Sequence, residues 1–318
     1  MKVTVVGAGG NVGSTVALSV AQRDFAKEVI AVDLERKEDD KTFYPSKGRA
    51  LDQWESSPIH LFDTRIKGTT DYADTANSDV CVITAGVPRR PGMSRDDLLE
   101  INANIVRSVT EQLVKHSPDT IIIVVSNPLD VMVQVAKDAS GLPYEKVMGM
   151  AGILDTARYR AFIAEELDVS PKDIQALLMG GHGDTMVPLP RFTTLAGMPI
   201  THFISDERLE EIVNRAKKGG GELVALMGTS AWYAPGAAAA QMVEAIMLDQ
   251  NRIFPVCAHI DGQYGVDDLY IGVPVKLGKG GIKEVIEVEL TKEESDLMHQ
   301  SADAVRDTLN DFKKLMNK

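Results

Sequence analysis

His182 stands in LLMGGHGDTMVP (177–188), with Gly180, Gly181 and Gly183 around it. The glycines strip side chains from the neighbouring positions and permit backbone angles that other residues resist. An imidazole with open space beside it is well suited to exchange a proton near neutral pH. Alone, such a histidine also fits an ordinary surface turn. Other residues change that reading. Asp155 and Arg158 lie in GILDTARYRAFIAEELDVSP (152–171), three apart on one face of a helix. By themselves they fit a surface ion pair. Arg89, Arg90 and Arg95 follow a strand in VPRRPGMSRDDLLEINANIVRSV (87–109), where Pro88, Pro91 and Gly92 forbid an early helix. A basic loop so flanked can close over a bound anion. The chemistry on offer is proton transfer beside a held anion.

A second constellation opens the chain. The run Val3 to Val6 reads as a buried strand that ends at Gly7, and GAGGNVGSTVALSVAQ (7–22) continues as a glycine turn and an apolar helix. That order aims helix N-terminal amides at a pyrophosphate. Gly7, Gly9 and Gly13 give GxGxxxG, while Gly7, Gly10 and Gly13 give GxxGxxG. Both are one residue longer than the usual GxGxxG, and the spacing leaves open which glycine lies under the phosphates. The next strand, EVIAVD (28–33), ends in Asp33, about 20 residues past the last glycine. There a carboxylate accepts hydrogen bonds from an adenosine ribose and repels a 2′-phosphate, favouring NAD over NADP. Arg36 and Lys37 follow closely and temper that preference.

The elements that must position these residues follow from the pattern. Residues 35–48 are highly charged and read as a solvated loop, and 48–58 as a short helix stopped by Pro58. Strands are expected at 64–69 and 78–86. Residues 120–141 read as an apolar strand, an Asn127–Pro128 turn and a helix closed by Gly141. Repeated strand–helix units imply an α/β, Rossmann-type doubly wound parallel sheet with ligands beyond the strand ends. Near residue 150 the alternation changes. The expectation is a nucleotide-binding domain over 1–149 and an α+β substrate domain over 150–318. The second half holds a strand in 173–185, helices at 206–228 and 231–251, antiparallel strands at 253–260, 269–277 and 282–288, and a closing helix from 291. The alanine-dense 232–251 stretch suits close helix packing, against another subunit included.

Composition narrows the classes. The chain has 318 residues, enough for two domains, with 44% hydrophobic and 25% charged side chains, as in a soluble globular protein. Its formal net charge of −12 argues against nucleic acid and anionic membranes, which need a basic face. Small anions need only a local basic pocket. Cys81 and Cys257 form no metal-ligand spacing, so a reduced, cytoplasmic location and no metal are expected. MKVTVVGAGG enters a strand at once without a signal-peptide layout. No apolar run approaches the roughly 20 residues of a membrane span. His60, His116, His202, His259 and His299 have no companions at ligand spacing and read as structural.

The chain resembles the lactate/malate dehydrogenase family, nearest its bacterial, lactate-dehydrogenase-like malate group. The matching segments are GAGGNVG (7–13), Asp33, PRRPGMSRDDL (88–98), SNPLD (126–130), LDTARYR (154–160), GGHGDTMVP (180–188) and TSAWYAPGAA (229–238). Two features depart from it: the stretched glycine spacing, and a longer segment between Asp33 and Gly48. The resemblance implies that His182 takes the substrate hydroxyl proton as hydride leaves C2 for the nicotinamide. It makes Asp155 the group that orients that imidazole and Arg158 the two-pronged grip on the C1 carboxylate. Arg95 would polarise the carbonyl on loop closure, and Asn127 would bond near the substrate oxygen and nicotinamide. Asn102 would join the cofactor residues, and Ala231 would line the pocket. Arg89 would pair with the second carboxylate of a small dicarboxylate, with Arg90 facing solvent. A buried arginine left without its carboxylate costs roughly 3–5 kcal/mol. At about 1.4 kcal/mol per tenfold, that disfavours pyruvate by roughly two to three and a half orders of magnitude. A homo-oligomer is also implied, a tetramer ahead of a dimer. The rivals are a lactate or other 2-hydroxyacid dehydrogenase, an NAD- and manganese-dependent glycosidase, and a silent NAD-binding protein.

Overall fold

The computed structural model describes residues 1–88 and 94–316. The inner strands of the sheet are mostly apolar and buried on both faces, while Arg65–Thr69 at its edge exposes Arg65 and Lys67. In Ile121–Val124, Ile121 and Ile123 enter one core cluster and Ile122 and Val124 the other. Val80–Ile83 divides in the same way. Such unalternating runs are stable only with helices on both faces. The strands pair in parallel in the order Arg65–Thr69, Glu28–Val32, Lys2–Val6, Val80–Ile83, Ile121–Val124, Val147–Gly149. Chain order reverses between Lys2–Val6 and Val80–Ile83, and the crevice beyond that switch is where a doubly wound sheet takes its ligand.

Among the described residues nine helices surround the sheet: α1 (Asn11–Gln22), α2 (Pro45–Glu55), α3 (Ser57–His60), α4 (Arg95–His116), α5 (Leu129–Ser140), α6 (Gly152–Leu167), α7 (Asp206–Met227), α8 (Tyr233–Met247) and α9 (Lys292–Met316). Ser94 and Asp97 form a reciprocal capping box that starts α4. Gly141 ends α5 at φ 63°, in the left-handed region that favours glycine.

Several expectations need correction. The charged 35–48 segment is no simple loop: Arg36–Glu38 and Lys41–Phe43 pair as a hairpin, turning at Asp39, φ 52°. Helix α2 starts at Pro45, earlier than expected, and Pro58 does not stop it. Proline is tolerated in a first turn, and Pro58 sits there in α3. The helix expected over 152–171 ends at Leu167, where Asp168 turns left-handed. The strand expected in 173–185 shrinks to Ile174–Gln175 and Leu178–Met179. Close packing of the α8 alanines is met within the chain on one face, while Ala234 and Ala237 stay exposed. Ala238, Ala239, Ala240 and Ala245 are buried within the chain, and Gly236 lets Thr15 of α1 come close.

The antiparallel strands Arg252–Ile260, Leu269–Gly278 and Gly281–Val285 form no separate sheet. They extend the parallel one, because Cys257 pairs with Gly149. A side chain at Gly149 would press on Val133 and Cys257, so the junction requires glycine. A third core cluster, with Tyr159, Ile163, Ile212 and Val213, fastens α7 to α6.

Candidate active site

The phosphate loop is built by close backbone approach. Gly7 has φ 85° and donates to the Val32 carbonyl at 2.9 Å. A Cβ at Gly13 would overlap the Gly7 carbonyl, and one at Gly9 would meet Asp33 and Pro45. Gly10, by contrast, caps α1, and a Cβ there would make one tight contact, 3.2 Å to the Gly7 carbonyl, without overlap. Steric need therefore follows Gly7, Gly9 and Gly13. The cavity beyond the loop, about 610 Å³, is lined by Gly7, Gly10, Gly13, Asn102 and Asn127 among others. Helix α1 has no side-chain cap, so its first-turn amides are left for an anion.

Asp33 closes the far side of the loop. Its Oδ2 accepts from the Gly9 amide and its Oδ1 from the Leu34 amide, both at 2.7 Å. The nearby cations are already paired: Arg36 with Glu38 at 3.0 Å and Lys37 with Glu35 at 3.2 Å. Asn102 is buried, and its amide is occupied by the protein. It accepts from the Val87 amide at 2.8 Å and donates to the carbonyls of Val87 at 3.2 Å and Asn127 at 2.7 Å. Its polar atoms brace the wall of the cavity, binding the strand-end segment to the Asn127–Pro128 turn.

Next to this cavity lies a second of about 630 Å³, which shares Asn127 and Ala231 with it and adds Asp155, Arg158 and His182. His182 Nδ1 lies 2.9 Å from Asp155 Oδ2, and Arg158 donates to the other oxygen of that carboxylate at 3.3 Å. Asp155 is buried and spends both oxygens on these partners. Burial alone would lower the His182 pKa. The Asp155 charge and hydrogen bond, with the Asp130 charge, outweigh that and the opposing Arg158, and hold it above the ordinary 6.5. The site thus keeps a strong base beside an anchored guanidinium.

Sequence reading missed several parts of this site. Gly219, in α7, leaves room for the Arg158 stem, and Lys217, Gly220 and Gly221 line the same cavity. The KKGGG run inside a helical pattern was the available signal, since glycine there weakens a helix by about 1 kcal/mol per residue. The three amides of the histidine loop are each held. Gly180 pairs with Gly272 in both directions at 2.8 and 3.0 Å, Gly181 donates to Ser301 Oγ at 2.8 Å, and His182 to Asp130 Oδ2 at 3.2 Å. Arg95 opens α4. Arg89 and Arg90 lie outside the described residues. Among the described residues, no group of three His, Cys, Asp or Glu side chains is placed to hold a metal ion, and no helix is long and apolar enough to cross a membrane.

Comparison with known proteins agrees along the whole chain. The model of the lactate/malate dehydrogenase NAD binding domain matches residues 1–149, and that of the lactate/malate dehydrogenase alpha/beta C-terminal domain matches 153–316. A malate dehydrogenase of Salinibacter ruber is 63% identical over 315 residues, covering 99% of this chain and 98% of its own. The 1.55 Å structure of malate dehydrogenase from that organism superposes with a TM-score of 0.93 at 60% identity, covering 100% of this chain and 99% of its own. A lactate dehydrogenase of Cryptosporidium parvum, solved with lactic acid and nicotinamide adenine dinucleotide, reaches 0.90 at 37% identity, covering 100% and 98%. The fold is therefore shared by both substrate classes. On these matches and this geometry, the chain belongs to the lactate/malate dehydrogenase family.

Proposed function

We propose that this chain is an NAD-dependent malate dehydrogenase, interconverting (S)-malate and oxaloacetate. The observation that carries the reading is the Arg158–Asp155–His182 arrangement, opening onto a cavity continuous with the glycine cradle. The cradle fits NAD: α1 presents uncapped amides for a pyrophosphate, and Asp33 offers acceptors to a ribose. When bound, NAD supplies the acceptor for the hydride on the substrate's C2.

The protein's own residues do the rest. His182 receives the hydroxyl proton of malate on Nε2, while Nδ1 stays bonded to Asp155. Asp155 fixes the ring and offsets the charge that appears on it. Arg158 holds the C1 carboxylate, and Asn127 directs its amide toward the reacting oxygen. Arg95 polarises the carbonyl, and Arg89 pairs with the distal carboxylate and so selects malate over lactate. The chain works as a cytoplasmic homotetramer with an NAD-binding unit over 1–149 and a substrate unit over 150–318.

The test is NADH oxidation with oxaloacetate, with pyruvate and with neither, in the native protein and in Arg89→Gln. Preference for oxaloacetate should reverse or collapse in the variant. Equal turnover of pyruvate by the native protein would favour the lactate reading, and an unchanged preference in Arg89→Gln would remove Arg89 as selector.

A further inference from the structure

Arg49 of α2 has no part in the scheme above, yet it is fastened to the helix that carries the glycine cradle. Its guanidinium donates to Asn11 Oδ1 at 2.9 Å and to Ser14 Oγ at 2.8 Å. Both partners stand in the first turn of α1, where Asn11 lines the nucleotide cavity. Among the described residues no carboxylate lies within ion-pair distance of Arg49. The first turn of α1 holds no acidic residue, and Asp33 turns its oxygens to the amides of Gly9 and Leu34. A cation against the amino end of a helix meets the positive end of the helix dipole, which disfavours it. Two positive features thus stand side by side, an arrangement that an anion stabilises.

The bond to Asn11 also sets which way that side chain faces. A guanidinium donates and never accepts, so the amide must turn its oxygen to Arg49 and its NH2 away. Among the described residues no protein acceptor takes that NH2. Bracing the turn does not by itself call for a charge. Gln53, one turn further along α2, ties the same segment by donating to the Ser14 carbonyl at 2.7 Å.

We propose that Arg49 is a positioning residue for the cofactor: it frees the Asn11 NH2 for the pyrophosphate and places a cation behind the first turn of α1. The inference rests on the NAD-binding role of the cradle. Asn11 adds a side-chain donor to the main-chain amides of the turn, and Arg49 adds charge without touching the phosphates. A diphosphate gains from both effects, an uncharged nucleoside from neither.

The experiment compares NADH, ADP and adenosine on the full-length native protein, Arg49→Met and Arg49→Lys, by NADH fluorescence and its displacement. Arg49→Met should weaken NADH and ADP about five- to tenfold, the worth of one hydrogen bond, and leave adenosine within about twofold of native. Arg49→Lys, which keeps the charge, should recover most of the loss. NADH and ADP affinities within about twofold of native in a folded Arg49→Met protein overturn the proposal. Equal weakening of adenosine also overturns it, since that outcome makes Arg49 a brace of the fold. If Arg49→Met does not fold, NMR of the native protein decides. The Asn11 side-chain NH2 signals, assigned with Asn11→Asp, should shift with ADP and stay in place with adenosine, and no shift with ADP overturns the proposal. Binding is read without turnover, so a native protein that binds NADH but fails to oxidise malate would refute the functional reading alone.

Discussion

Asp155 serves two partners with one carboxylate: Oδ2 lies 2.9 Å from the His182 ring, and Oδ1 accepts from Arg158 at 3.3 Å. The base and the substrate anchor are therefore held by the same buried charge. Burial, opposed by Asp155 and Asp130, leaves the His182 pKa above 6.5. Malate oxidation needs the neutral ring and should rise through that raised pKa, while oxaloacetate reduction should fall through it. The histidine's contribution to folding is fully present below 6.5 and is lost as pH climbs through the folded-state value. In Asp155→Asn the acid limb should move to lower pH and kcat should drop about 10²–10⁴-fold. Steady-state rates from pH 5 to 10 measure both, and an unmoved limb refutes the assignment.

Arg158 reaches the cavity with its Nε buried and without a partner among the described residues. A forked guanidinium can meet a carboxylate with two parallel bonds, which an ammonium cannot copy. Arg158→Lys keeps the charge and should raise KM for oxaloacetate about ten- to a hundredfold, the worth of one charge-assisted bond. Circular dichroism should show the fold intact. A KM within twofold of native would place Arg158 outside the carboxylate contact.

Two cations follow Asp33 in the chain, and both have partners, Arg36 with Glu38 and Lys37 with Glu35. Neither is left to welcome a 2′-phosphate while the aspartate stands there. Asp33→Ser should raise the NADPH-to-NADH ratio of kcat/KM about tenfold, chiefly by removing like-charge repulsion. It should also weaken NADH binding, because Gly9 loses its 2.7 Å acceptor. Competition between the two cofactors in one assay reads the ratio directly.

Gly13 and Gly7 meet main chain to main chain, so a methyl group at residue 13 has nowhere to go. Gly13→Ala should cost about 1–3 kcal/mol, as overpacking does. Tm should fall and NADH binding should be lost, by scanning calorimetry and cofactor fluorescence. Gly10→Ala, which meets only the Gly7 carbonyl at 3.2 Å, should be far milder. Equal losses in the two would contradict the steric account of the loop.

What could be read from the residues depends on whether their signal was local. The glycine turn and Asp33 lie within one strand–helix–strand unit and each unalternating strand is a single short run, so local pattern alone revealed them. His182, Asp155 and Arg158 were visible by type, but only the family resemblance joined a glycine loop to a helix face. The hairpin at residues 36–43 was hidden because its charged, exposed side chains have the composition of a loop. Asp130 and Ser301 act through side-chain bonds to amides 52 and 120 residues away, and no local pattern encodes such bonds. The junction of the two sheet halves turns on the absence of a side chain at Gly149, which looks like any other glycine.

The Ser301 bond also orders events in time. The glycine turn, Asp33 and Asn102 all lie in the first 150 residues, but the cavity beyond them is also walled by Val224 and by Gly228 to Trp232. In the histidine loop, translated by residue 188, His182 bonds to the earlier Asp130, but Gly180 and Gly181 are tied down only when strand Leu269–Gly278 and helix α9 arrive. A nascent chain is therefore expected to wall its nucleotide cavity only after residue 232 has been made, and catalysis to begin only as the last helix docks.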